Sequence, residues 1–290
     1  MQPKNKACGR RPYTSIFCIP IMSLVSVSFS VARCAALVIP LLLAACASNT
    51  PSGTISLIPS EIAEQTRKDG LFSQPLQFER SQPGCSGDCP TLKVDSLVFP
   101  GLPVLTKLVD HALVTLTHID QTTSPRYVTI QEYEQHLWNT AGPRDSTVLA
   151  ARIRYANKYI TSIELDAWQY FTGAAHGIAA TQFLIWDNTT KKVLGIQDML
   201  VSGGYPKYEQ ALATAHAQWK ASNPDARDNP VNFDRIWPFQ PTENVALTDQ
   251  GLLVKYNAYD IAPYSSGQPE LLIPYASLEG ILKPQFMPEL

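Results

Sequence analysis

The residues best placed to do chemistry gather near the middle of the chain, in Trp168-Gln-Tyr170-Phe-Thr-Gly173-Ala-Ala-His176-Gly177. One titratable imidazole sits there among small residues that let the backbone bend freely. An imidazole becomes a general base when a carboxylate holds it, and Glu164, Asp166 and Asp198 are the candidates for His176. Such a base needs something to activate, and no convincing nucleophile accompanies it. The chain has no Gly-x-Ser-x-Gly elbow, no His-Glu-x-x-His and no phosphate-cradling Gly-x-x-x-x-Gly-Lys. The other histidines, His111, His118, His136 and His216, are scattered without metal-ligand spacing, so no metal and no cofactor is expected. Two readings follow: His176 hydrogen-bonds its loop to a sheet, or a hydrolase of glycan or peptide works through His176 with Asp198. The first needs fewer parts.

A second chemical pair lies in Cys85-Ser-Gly-Asp-Cys89-Pro90. Its meaning depends on the compartment, which the N-terminus addresses. Arg10, Arg11 and Arg33 precede apolar runs, and the last run ends in Leu43-Ala-Ala-Cys46. A basic region, a short apolar region and small residues at the cut make a secretory signal over residues 1–45, too short for a mature membrane span. Leu-Ala-Ala-Cys has the form of a bacterial lipobox, so Cys46 is expected to carry lipid and become the mature N-terminus. Ala47 after it favours sorting to the outer membrane of a Gram-negative-type envelope, with the protein facing the periplasm. In that oxidising space Cys85 and Cys89 are expected to form a disulfide, a local staple closed with the help of Gly87. Three intervening residues argue against redox catalysis, and no other mature cysteine remains for a four-ligand zinc site.

Removing residues 1–45 takes five basic residues and no acids, so 23 basic residues become 18 against 25 acidic ones. The mature net charge near −7 excludes a nucleic-acid partner and favours a cationic one.

The remaining chain must position these groups. Residues 47–54 read as a polar tether. The segment up to Pro83 has no clear period, although Leu76-Gln-Phe78 has the residues of a short strand. Leu92–Phe99 alternates like a strand, and Leu105, Leu108, Val109, Ala112, Leu113 and Leu116 recur at helical spacing. Thr129 and Glu132 have capping-box spacing ahead of a second helix that Gly142-Pro143 ends. Leu149, Ala151, Ile153 and Tyr155 then alternate with Ala150, Arg152 and Arg154, as in a strand with one wet face. Asn157-Lys158 turns it into a return strand through Leu165. After the His176 loop come a strand over 181–186, a turn at 187–190 and a helix opened by Pro206. A Pro- and Asp-rich loop over 223–241 contains Trp237, and strands follow at 244–256 and 271–275. A short helix over 276–282 closes the order. It implies an α+β fold, a mostly antiparallel sheet with helices packed on one face.

Several segments, in order, resemble the extracytoplasmic sensor domain of the lysozyme-sensing anti-sigma factor RsiV and the same module beside some peptidoglycan deacetylases. They are Tyr170-Phe-Thr-Gly173-Ala-Ala-His176-Gly177, Ile196-Gln-Asp198-Met-Leu200, Leu247-Thr-Asp-Gln-Gly251-Leu, Tyr259-Asp-Ile-Ala-Pro-Tyr264-Ser-Ser-Gly267 and Ile273-Pro-Tyr275. The resemblance spans roughly residues 85–283. It implies a two-part module, residues 85–165 and 166–290, behind a lipidated tether and irregular segment over 46–84. It also implies a non-catalytic role, binding a protein or cell-wall ligand, for example a lysozyme-like enzyme; Tyr259 and Tyr264, which flank a loop, are the contact candidates, together with Gly173 and His176. Two departures stand out: Ala174 replaces a usual Gly, and Thr190-Lys191 lacks the Gly common in that turn. The likeness reaches the sensor half and not the signalling half.

Overall fold

A computed structural model describes residues 71–118 and 127–288. The expected leader and Cys46 lie outside them. The described residues fall in one unit of the chain. Its frame is a six-stranded sheet in sequential order: β1 (Gln74–Ser81), β2 (Thr91–Val98), β3 (Ser146–Ala156), β4 (Ile160–Tyr170), β5 (Ile178–Asp187) and β6 (Lys192–Leu194). Every pairing is antiparallel except β2 with β3. Between those two the chain makes the crossover that a parallel pair demands, through α1 (Pro103–Thr115) and α2 (Ile130–Thr140). The boundary at 165/166 falls inside β4, whose neighbours β3 and β5 belong to either side.

Helices α1 and α2 cover one face. Leu105, Val109 and Leu113 of α1, with Ile130, Tyr133 and Leu137 of α2, pack on Leu92, Val94, Leu149, Ile163 and Leu165. Thr129 caps α2 by accepting from the Glu132 amide at 3.2 Å, while the Glu132 carboxylate accepts from the Val128 amide at 2.7 Å. The glutamate thus reaches one residue further back than in a capping box.

The opposite face, expected to be wet, is covered. A second sheet of β7 (Val245–Leu247), β8 (Gly251–Lys255) and β9 (Glu270–Pro274) lies against it. Phe183 of β5 meets Ala246 and Leu253, and the Ser162 hydroxyl donates to the Leu247 carbonyl at 2.8 Å. Leu252 and Val254 instead share a cluster with Tyr208, Leu212 and Ala215 of the helix Tyr205–Ser222, here α4, which follows the four-residue α3 (Ile196–Met199). All five residues of β8 are therefore buried, as a strand covered on both sides requires. The layers run helices, six-stranded sheet, three-stranded sheet, helix, an α+β fold with a mostly antiparallel sheet.

Two local expectations change. The stretch 223–241 is not all loop: it contains α5 (Pro224–Asp228) and α6 (Pro230–Ile236). Asn223 caps α5 and Asn229 caps α6, each by a side-chain oxygen 3.1 Å from an amide, with Pro following in the first turn. The closing segment 276–282 is not an α-helix; a single 3-10 turn, Tyr275–Ser277, precedes a β-bridge between Leu200 and Leu282. The Cys85–Cys89 disulfide is present, with Cα atoms 5.9 Å apart at the tip of the β1–β2 hairpin. No helix among the described residues is long and apolar enough to cross a membrane.

Candidate functional site

Two loops build the site around His176. The first leaves β4 and enters β5. Asp145 pins it by accepting from the Thr172 amide and the Thr172 hydroxyl, both at 2.7 Å. Burial alone would raise the Asp145 carboxyl, but these hydrogen bonds and one from the Gly142 amide outweigh it and hold it below the usual range. Gly173 then turns the chain with φ +90°, a conformation that excludes most side chains, and the Ala174 amide closes the turn on the Phe171 carbonyl at 2.9 Å.

The second loop, 257–267, is tied to the open edge of β5. That edge has unpaired backbone groups beyond the reach of β6, and two asparagines satisfy them. Asn257 accepts from the Thr181 amide at 2.8 Å; Asn244 accepts from the Phe183 amide at 2.7 Å and donates to the Thr181 carbonyl at 3.2 Å. The anchored loop holds Tyr259 at φ +73°, an uncommon conformation for a bulky residue. A 3-10 turn, Tyr264–Ser266, then presents Tyr264, and Gly267 ends it at φ +66°.

The loops meet at the Gly177 carbonyl. The His176 Nδ1–H donates to it at 2.9 Å and the Tyr264 hydroxyl donates to it at 3.1 Å. A carbonyl only accepts, so Nδ1 carries a proton, and in the neutral imidazole Nε2 accepts from the Tyr259 hydroxyl at 3.3 Å. The two rings bound to that carbonyl stack, with centroids 4.0 Å apart and planes 24° off parallel. Tyr259 lies beside both, and Trp237 stacks on Tyr259 at 6.1 Å. Against Gly177 lies the Trp168 indole, so close that a Cβ on Gly177 would fall 2.3 Å from Trp168 Cε2. Trp168 in turn stacks on Tyr170 at 6.5 Å. The result is a row of aromatic rings on one rim, with His176 and Tyr259 exposed and Trp168 37% accessible.

His176, Tyr259 and Tyr264 are thus brought together, and Gly173 shapes their loop. None of the three candidate carboxylates pairs with His176. Asp198 caps α3 by accepting from the Gly195 amide at 2.9 Å. Glu164 and Asp166 point into the space between the sheets. There Arg152 binds Glu164 at 3.0 Å and also Asp166, while Lys255 binds Glu164 and lies 3.2 Å from Asp166. Glu270 completes the network 3.3 Å from Arg154. Full burial of Glu164 pushes its carboxyl up, yet the hydrogen bonds and charges of Arg152 and Lys255 outweigh that and hold it below the usual range. Where a base would need a carboxylate, His176 therefore has a backbone carbonyl. Among the described residues no group of three or more His, Cys, Asp or Glu is arranged to hold a metal.

Trp237 belongs to this rim through Tyr259, although nothing local in the sequence marks it as a contact rather than any Trp in a polar stretch. The second Asn-Pro pair, Asn229-Pro230, was the available sign that a helix leads into it. Trp186 and Tyr256, by contrast, are buried core residues, at 1% and 2% exposure.

Residues 197–276 match the family model described as a protein of unknown function, DUF3298. A solved DUF3298 family protein from Pseudomonas aeruginosa PAO1 is 38% identical, with a TM-score of 0.70 over 77% of this chain and 99% of that one. A member from Bacteroides fragilis NCTC 9343 shares the fold at 20% identity, with a TM-score of 0.54 over 76% and 97% of the two chains. No curated protein matches. At 38% identity over an alignment that spans 99% of a solved member, the chain belongs to the DUF3298 family.

Proposed function

We propose that this protein is a non-catalytic cell-envelope lipoprotein, anchored through Cys46, that binds a protein ligand with the aromatic rim of His176, Tyr259, Tyr264 and Trp237. A cationic enzyme of the lysozyme type is the first ligand to test. The observation that carries the reading is the Gly177 carbonyl, which takes hydrogen bonds from both His176 and Tyr264 and locks their rings in a stack before any ligand arrives. Rigid aromatic side chains at a rim give contact area at low entropic cost, which is why Tyr and Trp are enriched where binding energy concentrates. The RsiV-like resemblance of these same segments supports an envelope ligand of this kind, and the expected net charge near −7 supports a cationic one.

The test is binding of lysozyme to the purified protein by calorimetry at low salt. Tyr264→Ala should weaken it by roughly 30-fold or more, the loss associated with a central anchor. No measurable binding by the unaltered protein removes lysozyme as the ligand. Turnover of peptidoglycan that disappears in His176→Ala would replace the binding reading with a hydrolase.

A further inference from the structure

At the far end of β4 and β5 from the His176 rim lies a groove of about 790 Å³. The two ends are nine ladder steps apart, from Ile160 opposite Asp187 to Gln169 opposite Ile178, or about 30 Å at ~3.3 Å per residue. Its walls come from the β3–β4, β5–β6 and β7–β8 turns and from the segment after β9. Four aromatic rings, Tyr155, Tyr159, Tyr275 and Phe286, line it, with two carboxylates, Asp187 and Asp249, and one ammonium, Lys158. The volume is that of a small-molecule site, roughly 300–1,000 Å³.

The lining is held in place. The Tyr275 hydroxyl donates to the Thr248 carbonyl at 2.7 Å, and Asn157 donates to the Tyr155 hydroxyl at 3.3 Å. Asp187 accepts from the Thr189 and Thr190 amides at 2.7 and 2.9 Å. Burial opposes its charge, but those bonds outweigh it and keep the carboxyl below its usual range, so it is anionic at neutral pH. Asp249 is exposed and makes no hydrogen bond or ion pair among the described residues. Tyr155, Tyr275 and Phe286 are half-buried, packed on the core on one side and lining the groove on the other, while Tyr159 is exposed.

Aromatic rings beside carboxylates select cations. The chain already uses one such ring this way: the Lys158 ammonium lies 4.6 Å from the centre of the Tyr159 ring. We propose that this groove binds a linear aliphatic amine, its methylenes against the tyrosine and Phe286 rings and its ammonium ends at Asp187 and Asp249. The chemistry is shared by free polyamines and by a diamino-acid side chain in a short peptide. The site is separate from the aromatic rim and stands whether or not that rim binds a protein.

Calorimetry on the full chain at low salt, with spermidine, the tripeptide Ala-Lys-Ala and the N-acetylglucosamine tetramer as probes, tests it. An amine probe is expected to bind with Kd below about 1 mM. Affinity should fall at least tenfold in both Asp249→Asn and Tyr159→Ala, two exposed positions, and stay unchanged in His176→Ala. Tighter binding of spermidine identifies a polyamine site, and tighter binding of the tripeptide a diamino-acid site. The proposal is overturned if neither amine binds, if either variant binds as well as the unaltered chain, or if only the tetrasaccharide binds.

Discussion

The Lys255 ammonium on β8 is bonded to the Glu164 carboxylate on β4, a pair 91 residues apart in sequence that joins the two sheets in their shared interior. Glu164 is fully buried and Lys255 is 7% exposed. Charges taken so far from water are tolerated only when paired, and without Lys255 the Glu164 carboxylate would keep Arg152 and Arg154, at 3.0 and 3.3 Å, but lose its partner on the second sheet. Replacing Lys255 with Met should therefore destabilise the protein by about 1.5–3 kcal/mol, the worth of a hydrogen bond to a charged group. Chemical denaturation of the variant beside the unaltered chain measures it.

The same carboxylate sets an acid limit. Its folded-state pKa lies below the ordinary 4.5, so the unfolded chain binds its proton first as pH falls. The stability it contributes is complete above about pH 4.5 and is lost as pH falls below that towards the folded value. Glu164→Gln should flatten the stability–pH profile across that acid window while lowering stability at pH 7. Denaturation midpoints from pH 7 down to pH 3 read both effects.

His216 of α4 works at milder pH. It is 5% exposed, packed between Trp219 and Phe239, and its Nε2 has no hydrogen-bond partner. Burial depresses its pKa below 6.5, helped by the nearby Lys220 charge and opposed by Asp234. The unfolded chain again binds the proton more readily, so stability is full above about pH 6.5 and declines as pH falls below it. His216→Leu should remove that decline, and comparing midpoints at pH 7.5 and 5.5 checks it.

How much of this was legible follows from where each residue's partner lies. The α1 stripe and the β3–β4 hairpin are written in local spacing, and Leu105, Leu149, Ile163 and Leu165 are all fully buried. Ser162 and Glu164 look like a wet face, because polar residues are buried only with partners, and theirs sit 85 and 91 residues away. A bulge between Ile153 and Tyr155 also breaks the strict alternation, moving Tyr155 from the helix-side core to the groove end. Lys191 shows a milder case: in a turn where Gly is common it takes φ +59° itself. At the candidate site, the small-residue loop and the Tyr259–Gly267 segment were readable as separate pieces. That they share one carbonyl was not, because the contact spans 87 residues.

Gly177 matters for its missing side chain. The Trp168 indole occupies the space a methyl would take, and the ring is partly exposed, so solvent lies on one side of it. Gly177→Ala should leave the fold intact and displace Trp168 from Tyr170, seen as a change in tryptophan emission without a large shift in Tm. A strongly lowered Tm would mean instead that the loop cannot adjust.

The binding account rests on the stacked pair His176 and Tyr264, and one measurement tests it most directly: lysozyme affinity of the unaltered protein and of Tyr264→Ala, by calorimetry at low salt. The account predicts measurable binding that weakens roughly 30-fold or more in the variant while its Tm stays within a few degrees. Equal affinity of the two proteins, or none in either, would contradict it.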